Sequence, residues 1–186
     1  MKESKEEKER KKKVLELLIK LKTLKDVEVS AALKGLQLYG DSSVISPIIS
    51  ALKEGVSEKS EATIISFLGD LKYTDSAEPI MEAVLDKDNL EIRQKLLTTI
   101  WNSKVDFSEY LVDFITIAVE GDFMEALECL TIIENLEGPF YEQQFLESQV
   151  VLSEYAEKRD ENSKKAHIMS EIAIIIKDFE SKHVEF

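Results

Sequence analysis

The segment "SPIISAL", Ser46 to Leu52, returns 32 residues later as "EPIMEAV", Glu78 to Val84, with proline, isoleucine and alanine in the same order and spacing. The chain has only 3 prolines in 186 residues, so two of them sharing a register calls for an explanation. The same offset aligns the residues before each segment. Leu33, Leu36 and Tyr39 fall on Ile65, Leu68 and Leu71, then on Leu97, Ile100 and Ser103, and 33 residues further on Leu130, Ile133 and Leu136. Residues three apart lie on one face of a helix, so the stripe describes a first helix that recurs four times. A short polar turn and a second helix follow each stripe. These helices are marked by Pro47–Ile48 with Ala51–Leu52, Pro79–Ile80 with Ala83–Val84, and Leu111–Val112 with Ile115–Thr116, while the copy around Gln144–Phe145 is looser. Proline suits the first turn of such a helix, where its missing N–H is no loss.

A helix–turn–helix unit of fixed period buries its apolar face only by stacking on its neighbours, which is the logic of a solenoid. The predicted helices run over 3–24, then in pairs over 28–40 and 43–54, 60–72 and 76–86, 89–103 and 107–119, and 123–136 and 140–159, with a last helix over 163–182. Residues 1–26 read as a charged leader helix that caps the array and is partly disordered, 27–159 as four hairpins, and 160–186 as a C-terminal capping helix, all in one structural domain. The last helix sets Ile168, Ile172, Ile176 and Phe179 on one stripe, as a cap requires.

The four stripes and the two Pro-Ile-x-x-Ala segments resemble the HEAT-repeat family of α-solenoids over roughly residues 28–155. The short period looks like the compact bacterial variety. The Asp and Arg that many HEAT units carry at fixed positions are not repeated here, and Arg93 is the only arginine in the array. The resemblance implies a right-handed all-α solenoid of about four HEAT-like hairpins with capping helices at both ends. It also implies a protein-binding scaffold, and no catalytic residue.

Composition agrees with an all-α chain: 44% hydrophobic, 33% charged, 6 glycines, and abundant Leu, Ile, Glu, Lys and Ala. The leader, 1–26, holds ten Lys/Arg against six Asp/Glu, and residues 27–186 hold fourteen against thirty-one. Between Lys104 and Lys158 there is no Lys, Arg or His, against thirteen Asp/Glu. Such a surface repels phosphate backbones, which disfavours nucleic acid as a partner. Glu16 and Lys20 interrupt the one apolar stretch near the start, and "IAIII" at 172–176 is too short to span a bilayer, so no membrane role and a cytoplasmic location are expected.

Chemistry-bearing motifs are few. The pairs Asp75–Glu78, Asp88–Glu91, Asp106–Glu109 and Asp122–Glu125 all read D-x-x-E at predicted helix starts, where capping explains them better than acid–base catalysis. "DKDNLE", Asp86 to Glu91, lacks the glycine and later acid of a calcium loop. The single Cys129 lies in an apolar stretch and reads as a buried structural thiol, and His167 and His183 have no ligand spacing. No cofactor is implied. Trp101 reads as core, with a binding anchor as the alternative.

If the second helices line a concave face, Ser46, Ser50, Glu78, Glu82, Tyr110, Asp113, Gln143 and Glu147 point off it, joined by Tyr141 from the longer turn "EGPFYEQQF". The expected function is a non-enzymatic interaction scaffold. It would bind another protein or a basic peptide through Glu78, Glu82, Tyr110, Asp113, Tyr141, Gln143 and Glu147. The alternative is an enzyme or nucleic-acid processor on a helical-repeat frame, which the missing basic groove and missing catalytic motif disfavour.

Overall fold

The structure, a computed structural model, describes residues 4–71, 73, 75–158 and 164–184, with the side chains of His183 and Val184 excepted. Helices account for nearly all regular structure, and no strand occurs among the described residues. The chain divides into two compact units, residues 1–105 and 106–186. Of the expected hairpins, the third (89–103 with 107–119) has one helix in each unit.

The first unit holds α1 (Lys5–Leu21), α2 (Asp26–Tyr39), α3 (Ile45–Glu54), α4 (Glu58–Gly69), α5 (Ala77–Leu85) and α6 (Leu90–Asn102). Within the unit, helices pack against the helix two further along: α1 on α3, α2 on α4, α3 on α5 and α4 on α6. The helices α3 and α5 also pack on α4 and α6, and α1 covers α2 and α3. Pro47 and Pro79 are each the third residue of their helix, among the orphan N–H positions. The helix α3 ends at Gly55, whose φ of +90° a side chain would strain.

The repeating stripe is buried at its centre. Leu36, Leu68 and Ile100 are all buried, and so are Ala32, Ile64 and Leu96 one turn earlier at the same 32-residue stride. The stripe's outer members are less committed: Tyr39 is exposed, and Ile65 and Ser103 are half-buried. The true buried spacing is thus i, i+4, with 33, 65 and 97 alongside. At the neighbouring register position, Phe67 and Thr99 are buried in α4 and α6, but α2 has Gly35. Leu17 of the leader fills that space, its Cδ2 lying 2.6 Å from where a Cβ on Gly35 would stand. The first repeat has no preceding one, and the leader supplies the missing side chain.

Polar ties between neighbouring hairpins keep the same stride. Arg10 donates to the Tyr39 carbonyl and the Asp41 carboxylate, Ser57 and Ser60 donate to Asp26, Tyr73 donates to the Leu36 carbonyl, and Lys95 pairs with Glu61 at 2.7 Å. Their sequence separations run from 29 to 37 residues. The two serine hydroxyls, Ser57's first, hold Asp26 below the usual carboxylate range.

The second unit holds α7 (Leu111–Glu120), α8 (Phe123–Glu134), α9 (Glu142–Lys158) and α10 (Lys164–Val184). Here too α7 packs on α9 and α8 on α10, and α10 touches all three other helices. Ile168, Ile172 and Ile176 are buried, and Phe179 stacks on Phe140 with centroids 4.6 Å apart. Cys129 and Ile133 hold the same register positions as Leu96 and Ile100 and are buried, so the lone thiol is a core residue.

Two expectations are corrected. The D-x-x-E pairs are not four copies of one cap. Asp122–Glu125 forms the reciprocal capping box, but Asp88 is itself capped by Asp86, and Asp75 accepts from the Ser42 hydroxyl. The recurrent device is a different one: Asp41, Asp86 and Asp106 each accept from the backbone N–H two residues on, opening a 3₁₀ turn before α3, α6 and α7. The second correction is the buried face of α7, which is Leu111, Phe114, Ile115, Ile117 and Ala118 rather than the register inherited from α3 and α5. Three helices of its own unit pack on α7, and the side bearing Val112, Asp113, Thr116, Val119 and Glu120 is only partly covered or exposed.

Truncating the stripe tests this packing. Leu68→Ala should cost about 2–5 kcal/mol in urea unfolding, the range for a fully buried leucine, whereas Leu38→Ala, on the exposed side of α2, should change stability by less than about 0.5 kcal/mol.

Candidate functional site

The expected binding residues fall in different units. Glu78 and Glu82 are exposed on α5 in the first unit. Glu82 lines a shallow groove of about 260 Å³ between α3 and α5, together with Ser46, Ser50, Lys53 and Asp86. Lys53 sets a cation against the two acids, and Ser50 spends its hydroxyl on the Ser46 carbonyl, so this groove has little charge preference. Tyr110, Asp113, Tyr141, Gln143 and Glu147 all belong to the second unit, on or beside α7 and α9.

The longer turn before α9 is what sets these residues in place. Phe140 is buried between Phe145 and Phe179, edge-on to the first and stacked on the second. The Gly138 N–H donates to the Ser108 hydroxyl, and the Gln144 side-chain amide donates to the carbonyls of Ser108 and Glu109. The same Gln144 accepts from the Tyr141 N–H. The start of α9 is thereby fastened to the 3₁₀ turn that opens α7. Tyr110 is half-buried in that turn against Phe107, with ring centroids 6.4 Å apart. Tyr141 projects outward.

Between α7 and α9 runs a groove of about 380 Å³ lined by Val112, Gln143, Leu146, Glu147, Val150 and Val151. At Val151 it continues into a second hollow of about 380 Å³, lined by Thr116, Val119, Glu120, Glu154, Tyr155 and Lys158. Leu146 and Val150 are one helical turn apart and remain 50% and 56% exposed. Gln143 donates to Glu147 at 2.6 Å. Asp113 is pushed above the usual carboxylate range, first by its burial and then by the nearby charge of Glu147. A carboxylate kept half-buried beside a second acid is held at a cost to folding, as binding sites often do.

Of the residues that sequence reasoning assigned to one face of the second helices, Gln143 and Glu147 line this groove and Asp113 lies near Glu147, but the groove's exposed aliphatics were missed. The signal was in "QQFLESQVVLSEY". Phe145 and Ser148 form the buried stripe of α9, and Leu146 with Val150 make a second stripe that the core does not use. Trp101, expected in the core, keeps 41% of its surface exposed near the end of α6.

The cation shortage of this unit is met from α10. Lys165 donates to the Val119 and Gly121 carbonyls at 2.6 Å each, satisfying the C-terminal end of α7 beside the Asp122–Glu125 box. Partial burial pushes its ammonium pKa down, and the two carboxylates push back. No cluster of three or more metal-ligating side chains occurs among the described residues. No described helix is long and apolar enough to cross a membrane.

Comparison with known proteins returns no relative: no family model matches the chain, and no curated protein or solved structure matches it significantly.

The raised pKa of Asp113 makes a signed prediction. The native state keeps this proton to higher pH than the unfolded chain, so the group's contribution to stability falls as pH rises through its native pKa. Asp113→Asn should therefore raise the thermal midpoint at about pH 7, and its advantage should shrink as pH falls toward about 4. Melting curves of both proteins across that range check it.

Proposed function

We propose that the chain is a HEAT-like helical-repeat module that does no chemistry and binds a basic amphipathic helix of another protein in the α7–α9 groove. The observation that carries this reading is a pair of exposed aliphatics on α9 with acids beside them. Leu146 and Val150 offer adjacent exposed aliphatics, Glu147 lines the same groove and Glu154 the adjoining hollow, and Asp113 lies near Glu147. Between residues 105 and 157 the sequence holds no lysine, arginine or histidine, and the cation that lines the adjoining hollow, Lys158, faces Glu154 at 3.9 Å. An amphipathic helix meets such a groove with its apolar side, while its cations find the acids and fix its direction. Tyr141 stands exposed at the mouth as an aromatic contact. The neighbour pattern within each unit, with helices packing two along the chain, supports the repeat reading, as does the burial of equivalent positions one stride apart. Glu78 and Glu82 lie beside the α3–α5 groove and are not needed for this contact.

Fluorescence anisotropy with a labelled helical peptide of alternating Lys and Leu faces tests the reading against a peptide of the same pattern with Glu for Lys. The basic peptide should bind and the acidic one should not. Leu146→Ser with Val150→Ser should weaken binding at least about tenfold, the loss of about 1.4 kcal/mol, and Glu147→Lys should weaken it further and flatten its salt dependence. Equal binding of both peptides, or binding untouched by the groove substitutions, would refute it. Tight DNA binding at low salt would favour the nucleic-acid alternative instead.

A further inference from the structure

The leader helix carries the chemistry that this groove lacks. In α1, Leu17 and Leu21 are buried and hold the helix down on α2, while Leu15 and Ile19 remain 60% and 59% exposed. At about 100° per residue, Lys8, Lys12, Leu15, Ile19 and Lys22 fall within one narrow arc of the helix, and no acid shares it. All five side chains are exposed. The outer face of α1 is therefore a basic amphipathic stripe with two aliphatics one turn apart.

The outer face of α9 is its counterpart. Leu146 and Val150 are also one turn apart, and Glu142 and Glu157 lie on the same arc, with Glu147 and Glu154 on the side toward α7. Lys158 is the one described cation on α9, and it faces Glu154 at 3.9 Å. The aliphatic spacing matches, and the flanking charges are opposite in sign. The charge division of the whole chain follows the same line, with the excess of cations confined to residues 1–26.

We infer that the chain associates with itself head to tail, the α1 stripe of one copy seated in the α7–α9 groove of the next. This rests on the groove being a binding site for basic amphipathic helices, and it names the occupant. Leader and groove are different surfaces, so the contact is heterologous. It leaves one free leader and one free groove on every assembly and grows into chains unless the rotation between copies closes a ring. Two aliphatic pairs make a small apolar contact, so the association is weak and depends on screening of the flanking charges.

Sedimentation of the full chain over a concentration series tests it. At low salt the weight-average mass should rise steadily with concentration past the dimer, and added salt should return it toward the monomer. Leu15→Ser with Ile19→Ser disables the leader, and Leu146→Ser with Val150→Ser disables the groove. All four side chains are exposed, so folding should survive, as circular dichroism will report. Each double variant alone should stay monomeric, and an equimolar mixture should form a 1:1 dimer and nothing larger, since only one leader–groove pair remains. A wild-type chain that stays monomeric throughout overturns the inference. So does a mixture that remains monomeric, or self-association that persists in both variants. The basic peptide separates this outcome from failure of the groove itself. If the peptide binds and the chain is monomeric, the groove reading stands and self-docking falls. If the peptide does not bind, both fall.

Discussion

The structure depends on one buried apolar position that comes round every 32 or 33 residues. Ala32, Ile64, Leu96 and Cys129 mark it, with Leu36, Leu68, Ile100 and Ile133 one turn beyond. A two-helix hairpin has too little interior to bury such residues by itself, so each must find cover from its neighbours in sequence. Within each unit that requirement explains why helices pack on the helix two along the chain, and why polar contacts bridge residues about one repeat apart. It also explains the lone cysteine. Cys129 occupies a buried place that Ala32, Ile64 and Leu96 hold in the other repeats, and it does not line the groove.

Helix number and position were legible because the apolar period is strong and glycine and proline are scarce. Ten helices were expected and ten are described, with starts and ends displaced by no more than about four residues. The largest shift, at α7, arises from the 3₁₀ turn over Ser108–Tyr110. A stripe of apolar residues does not reveal whether the backbone enters a helix directly or through a tighter turn. The aspartates that manage the entry, Asp41, Asp86 and Asp106, were therefore passed over in favour of a spacing pattern that only Asp122–Glu125 fulfils. The exchange of Leu17 for a missing residue at Gly35 was invisible for a related reason: it joins two helices whose sequences share no pattern.

The groove was half legible. Its polar residues follow from the repeat register, which assigns Asp113, Gln143 and Glu147 to one face: Gln143 and Glu147 line the groove, and Asp113 lies near Glu147. The exposed aliphatic pair does not, because Leu146 and Val150 belong to the copy whose pattern is loosest, and a second apolar stripe on one helix looks like noise until the first is seen to be buried. Tyr110, assigned to the same face, is half-buried with its ring near that of Phe107. The second unit sets Lys165 of α10 on the carbonyls at the end of α7, and along α9 only Lys158, facing Glu154, stands among the acids.

The stride itself is tested most directly in the first unit by methyl cross-peaks in a nuclear Overhauser spectrum. The account predicts that methyl groups of Leu33 and Leu36 connect to those of Ile64 and Leu68, and these in turn to Leu96 and Ile100, with nothing joining α2 directly to α6. Strong cross-peaks between Leu36 and Ile100 would show a closed bundle in place of consecutive stacking, and would contradict it.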